Sequence, residues 1–149
     1  DYIKRLIGLP GDKLQIINGD LHLNGKKILK KRISLLENIS CGNEIISVDS
    51  YKEILPNGID YIAVYRKDNT MIDTDEYIVP QDHFFFMGDN RDCSNDSRFL
   101  KTVGYVHINN LVGNAKIIFL SNDKTKGSII KFWNWNKTLR FDRFLKKIE

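Results

Sequence analysis

Three Asp, two Arg and two Ser fall within the ten residues from Asp89 to Arg98, directly behind Gly88 and the apolar run Phe84-Phe85-Phe86-Met87. No other stretch of the chain joins an apolar run to so dense a polar loop. Charges that close to a buried strand must reach water or pair with one another, because an unpaired buried charge costs several kcal/mol. An ion-paired, hydrogen-bonded loop of this kind can hold a hydroxyl or an amine in fixed geometry. The second candidate group is Lys4, inside Tyr2-Ile3-Lys4-Arg5-Leu6-Ile7. A lysine serves as a general base only in its neutral form, which burial against apolar neighbours favours. Taken alone, Lys4 reads as a solvated or salt-bridged surface residue, and Ser94 and Ser97 as turn residues. His22, His83 and His107 share no metal-ligand spacing with a second His or a Cys, so no metal site is expected.

These groups need elements to hold them. Tyr2 to Ile7 is β-branched and aromatic and predicts a strand with Lys4 at its middle, facing away from Ile3; Pro10-Gly11 fits the centre of a type II turn. Phe84 to Met87 predicts a strand buried on both faces and ended by the turn residues Gly88-Asp89-Asn90. Lys13 to Ile17 and Asp20 to Leu23 alternate around Asn18-Gly19, a strong hairpin signal, and Asn24-Gly25 marks a second tight turn. Lys30-Lys31-Arg32 reads as a solvated turn. Glu44 to Val48 and Asp60 to Tyr65 read as strands around the turn Pro56-Asn57-Gly58, and Arg66 to Asp75 as a loop. Tyr77 to Pro80 leads into the apolar run and polar loop of residues 84–98, with a strand restarting at Asp82 or His83. Val103 to Val106 and Leu111 to Leu120 read as two further strands. The expected fold is mostly β, with antiparallel sheets coiled into a partial barrel.

Met87-Gly88-Asp89-Asn90-Arg91-Asp92, followed by Ser94 and by Asp96-Ser97-Arg98, resembles the last conserved box of the bacterial type I signal peptidases. Asp1 to Asp12, Asp-Tyr-Ile-Lys-Arg-Leu-Ile-Gly-Leu-Pro-Gly-Asp, resembles the box of that family that carries its catalytic lysine. Two long motifs in the family's order make the resemblance specific at both ends of the first hundred residues. It is weak between them and fades after Gly113.

The resemblance implies a membrane-associated serine endopeptidase that removes signal peptides from secretory precursors by Ser/Lys-dyad acyl-enzyme chemistry, without a cofactor. Lys4 would be the general base. The Ser94 hydroxyl would orient the lysine amine, with Asp96 behind it, while Asp89 with Arg5 and Asp96 with Arg98 would fasten the two boxes together. The substrate would lie as an added strand beside Tyr2 and Ile3. The partners implied are precursors bearing signal peptides and the lipid surface, not nucleic acid, with the catalytic domain on the outer face of the bacterial cytoplasmic membrane. The oligomeric state stays open. The family's nucleophilic serine lies in a Ser-Met-Pro motif upstream of the lysine box, and no Ser-Met-Pro occurs in this sequence. The chain is therefore expected to be a single catalytic-domain fragment, residues 1–149, inactive alone and beginning inside a longer protein. Its parts are the lysine box 1–12, the central box 84–98 and the tail 122–149.

Length and composition agree with one ordinary globular domain: 149 residues, 42% hydrophobic, 28% charged and three Pro. No run approaches the roughly 18 apolar residues of a membrane span, and no signal peptide opens the chain. Cys41 and Cys93 could form one disulfide, but parity is weak evidence. The family position matching Cys93 is commonly Asn, so both are expected to be unpaired. From Asn122 onward eight Lys or Arg face three acidic residues, a balance of +5 that leaves −1 for the rest of a +4 chain. Lys131-Phe132-Trp133-Asn134-Trp135-Asn136-Lys137 interleaves aromatic and basic residues, and Phe141, Phe144, Leu145 and Ile148 fall at helical spacing. The tail therefore reads either as a membrane-facing surface or as core closure. Two other classes stay open: a Ser/Lys protease of the self-cleaving repressor type, and a non-enzymatic basic module, which would leave both boxes unexplained.

Overall fold

The computed structural model describes residues 2–35, 37–68, 70–122, 133 and 135–148. It divides into two compact units, Asp1–Leu111 and Val112–Glu149.

The first unit is built from antiparallel strands. The hairpin of β2 (Lys13–Ile17) and β3 (Asp20–Leu23) turns through Asn18 and Gly19, both at positive φ as a primed turn requires. Asn24-Gly25 repeats the device and leads into β4 (Lys26–Lys27). β9 (Tyr77–Ile78) pairs with the other edge of β2. A second sheet is organised on the long β7 (Glu44–Ile54). It pairs with β5 (Leu29–Ile33), β6 (Asn38–Cys41) and β8 (Asp60–Arg66). The third sheet has the order β1 (Arg5–Gly8), β10 (His83–Met87), β11 (Val106–His107), so the two sequence boxes meet on neighbouring strands, Arg5 opposite Met87.

Strand parity sorts the side chains of β7 and β8 onto two faces. Tyr61, Ala63 and Tyr65 join Ile7, Leu14 and Phe85 in the larger hydrophobic cluster, while Val48 and Val64 form a smaller one with Ile46. The first face is thus buried and the second only around Val48 and Val64, with Ile62 exposed; the first carries Glu53, directly opposite Tyr61.

Several expectations are corrected here. The strand of the lysine box begins at Arg5, so Lys4 stands just before it rather than at its middle. Lys30-Lys31-Arg32 belongs to β5, because the Lys30 ammonium lies over the rings of Tyr51 and Tyr65, at 4.4 and 3.8 Å, which makes a basic residue compatible with a strand. Phe84 to Met87 is buried on one face, with Phe85 and Met87 inside and Phe84 and Phe86 half-buried. Only Val106 of the stretch 103–106 is in a strand, since the Phe99 carbonyl accepts from the N–H groups of Thr102, Val103 and Gly104 and curls the chain first.

The second unit lacks the strand expected over Leu111 to Leu120. Residues 116–122 are instead held by isolated bridges, Ile117 to Lys147 and Asn122 to Leu139. The helical spacing at the end of the chain also misleads. One turn of helix, α1, spans Trp135–Thr138 and a 3-10 turn spans Phe141–Arg143. Leu145 then takes a positive φ and donates its N–H to Ile118, which stops the winding. Lys131, Phe132 and Asn134 of the aromatic-basic stretch lie outside the described residues. Among the described residues no helix is long and apolar enough to cross a membrane.

Candidate active site

Where β1 and β10 meet, the Lys4 amine donates to Ser94 Oγ at 2.6 Å. Ser94 sits in extended backbone just after the 3-10 turn Arg91–Cys93, which swings it back over the end of β10. The close approach depends on Gly88. A Cβ there would overlap the Cβ and Oγ of Ser94 and stand 3.6 Å from Lys4 Nζ. The role of Gly88 is therefore space rather than turn formation.

Asp96 anchors Ser94 from behind. It is fully buried, hydrogen-bonds the Ser94 side chain, and accepts from the Gly88 N–H at 2.8 Å and from both forks of Arg98, each at 2.8 Å. Burial pushes its carboxyl up, but Arg98, Gly88 and Ser94 outweigh burial and hold it below the usual carboxylate range. Ser97 is also fully buried and extends the strand pairing, its backbone N–H donating to the Phe86 carbonyl and its hydroxyl accepting from the Phe86 N–H. Arg5 and Asp89 close the other side with a bidentate pair at 2.7 and 2.9 Å, joining the first box to the second.

The structure thus brings Lys4, Ser94, Asp96 and Arg98 into one hydrogen-bonded line and sets Arg5 with Asp89 beside it. Tyr2 and Ile3 are placed differently. They precede β1, the edge strand of its sheet, and are 90% and 75% exposed. An edge strand is open to pairing with another extended chain.

Sequence reasoning left Arg91 without a role and missed Glu53, Tyr61 and Tyr65. Arg91 and Glu53 are each 1% exposed. The Arg91 guanidinium donates to Glu53 Oε2 at 2.7 Å and to the hydroxyls of Tyr61 and Tyr65, both of which donate in turn to Glu53. Burial raises both tyrosines and keeps them protonated, so each hydroxyl passes one proton on and accepts one. Among the described residues Arg91 Nε has no hydrogen-bond partner. The sequence held a signal for this cluster, since alternate positions on facing strands read Tyr51, Glu53, Tyr61, Ala63 and Tyr65, a lone carboxylate on an aromatic face. Asp92, the next residue, accepts from the N–H groups of Arg66 and Met71 and from the Thr70 hydroxyl, which folds that loop against the box.

The two cysteines are bonded, against expectation. Cys41 ends β6, Cys93 ends the 3-10 turn before Ser94, and their Cα atoms stand 5.6 Å apart. They lie 52 positions apart in sequence, and become neighbours because β6 runs along β7 while Asn90 and Asp92 hold the 3-10 turn against β8.

The family model described as signal peptidase, peptidase S26, matches residues 1–120. The signal peptidase I of Rickettsia typhi is 35% identical over 163 residues, an alignment covering 99% of this chain and 59% of that protein. The signal peptidase I of Rickettsia prowazekii matches with the same identity and coverage. The chain spans 59% of the length of these curated relatives. A crystal structure of a signal peptidase I from Enterococcus faecalis aligns at 27% identity over 74% of this chain and 78% of that one, with a TM-score of 0.37.

Proposed function

The chain belongs to the signal peptidase family, peptidase S26, and from that membership we propose that it is the catalytic part of a serine endopeptidase that removes signal peptides from secretory precursors. The observation that carries the mechanism is the 2.6 Å contact between Lys4 Nζ and Ser94 Oγ. A neutral amine has a lone pair and two protons. With one N–H held by Ser94, the lone pair of Lys4 is left to take a proton from a serine nucleophile supplied by sequence outside these 149 residues. That serine would attack the scissile carbonyl, the Lys4 ammonium would pass the proton to the departing peptide nitrogen as the C–N bond breaks to leave an acyl-enzyme, and water activated by the again neutral amine would hydrolyse the ester. Ser94, gripped by Asp96, keeps the amine aimed. The exposed edge at Tyr2 and Ile3 would receive the precursor as an added strand.

The Cys41–Cys93 disulfide supports an oxidising compartment, in line with a catalytic domain on the outer face of the cytoplasmic membrane. We place the lipid surface among its partners on the strength of the basic, aromatic tail.

A second reading has an observation in its favour. Ser94 is itself within reach of the amine and could be the nucleophile. Its low exposure, 8%, and its attachment to Asp96 favour the orienting role. Kinetics on a signal-peptide substrate separate the two readings in the full-length protein. Lys4→Ala is expected to lower turnover by about 10²–10⁴-fold or more, as loss of a general base does. Ser94→Ala is expected to lower it about fivefold, the loss of one neutral hydrogen bond. Abolished turnover in Ser94→Ala would make Ser94 the nucleophile, and wild-type turnover in Lys4→Ala would remove the dyad altogether.

A further inference from the structure

Glu53 belongs to neither sequence box, yet it is shut away from solvent beside the site. Tyr65 donates to its Oε1, and Tyr61 and Arg91 donate to its Oε2. Its two oxygens are turned onto Tyr61, Tyr65 and Arg91, so Glu53 acts on the site through those neighbours.

Two lines of contact lead from it to Lys4 and Ser94. Along the first, Glu53 holds the Arg91 guanidinium, the Arg91 carbonyl accepts from Arg98, Arg98 forks onto Asp96, and Asp96 holds Ser94. Along the second, Glu53 takes the Tyr61 hydroxyl, and the Tyr61 ring carries the Arg5 guanidinium at 4.2 Å, next in sequence to Lys4. Both halves of the pair are therefore seated on one buried group.

We propose that Glu53, by seating Arg91 and Tyr61 together, is a positioning residue for the Lys4–Ser94 pair. The inference rests on the reading of that pair as base and orienting hydroxyl. It extends the working site to the β7–β8 hairpin, which the two boxes do not reach.

The test reads the pair directly as well as through catalysis. In residues 1–149, acetylation of Lys4 by acetic anhydride is followed by mass spectrometry. In the full-length protein, kcat and KM are measured on a signal-peptide substrate. Glu53→Gln keeps the shape and removes the charge, Tyr65→Phe removes a single hydroxyl should the first variant fail to fold, and Leu14→Ala lowers the stability of the same core while leaving the hydrogen bonds of Glu53 in place. Glu53→Gln and Ser94→Ala are each expected to raise Lys4 acetylation about fivefold, and Glu53→Gln to lower kcat by a similar factor with KM unchanged. Acetylation raised with kcat unchanged would uphold the positioning role and remove the catalytic reading of the pair instead. Acetylation unchanged in Glu53→Gln and Tyr65→Phe, or raised equally by Leu14→Ala, would overturn the proposal.

Discussion

At the scale of single residues the site is set by contacts too close for any other side chain. Gly88 has no room for a Cβ beneath Ser94, and Asp96 has all its acceptor capacity turned inward. Asp96 also ties the site to pH. Its folded value lies below the ordinary carboxylate range, so its stabilisation is fully present above about pH 4 and is lost as the pH falls through the lowered value. Thermal unfolding followed from pH 7 down to pH 2 is expected to show Asp96→Asn less stable than the parent at neutral pH, with the two curves converging in acid. Parallel curves would mean that the ionised carboxylate contributes nothing. Arg5 and Asp89 add less, because the carboxylate side chain is 44% exposed and water screens the pair.

At the scale of elements the disulfide does what strand pairing cannot. The 3-10 turn Arg91–Cys93 has only three residues, too few to define its own position, and its exit carries Ser94. The bond to Cys41 pins that turn to β6, while the Arg91 side chain pins it to Glu53 on β7. Closing a loop of 52 residues is worth about 2–4 kcal/mol through restriction of the unfolded chain. Reduction, or the Cys41→Ser/Cys93→Ser pair, is therefore expected to lower unfolding free energy by about that amount in denaturant titrations. Equal midpoints with and without reductant would show that the bond carries no stability. The buried Arg91–Glu53 pair behaves differently. It stabilises little by itself, but removing one partner strands a charge, at a cost of about 3–5 kcal/mol.

At the scale of the whole molecule the charge is divided. Residues before Asn122 are close to neutral, and the basic excess lies in the tail, within the second unit. There Phe119, Trp133 and Phe141 stand more than 60% exposed, and a cavity of about 280 Å³ opens among Leu120, Trp135, Leu139 and Phe144. Exposed aromatics beside Lys and Arg suit an anionic lipid surface, where each cation near the headgroups is worth about 1 kcal/mol. The protein is expected to bind vesicles containing anionic lipid, with affinity falling as salt rises. Trp133→Ala/Trp135→Ala should weaken binding and leave the thermal unfolding of the protein in place. Unfolding of that double variant, or unchanged vesicle binding, would assign the two tryptophans to packing.

What the sequence determined by itself was local. Asn18-Gly19 and Asn24-Gly25 specified their turns because few residues accept positive φ, and the alternation around them specified the strands. The two boxes named the residues of the candidate site, since their order and spacing matched a known family. Other features depended on partners distant in the chain. Glu53 meets Arg91 across 38 residues, Cys41 meets Cys93 across 52 and Lys4 meets Ser94 across 90. Such meetings follow from which strands pair and in what register, and a one-residue slip would turn Cys41 of β6 or Glu53 of β7 to the opposite face. The basic strand β5 and the unwound end of the tail have the same origin. Lys30 is held in its strand by the two tyrosine rings beneath it, the Gly19 carbonyl and Asp20, and Leu145 leaves the helical spacing because the Ile118 carbonyl takes its N–H. Tertiary contacts override local preference at those positions, because the groups that satisfy the chain there come from elsewhere in the fold.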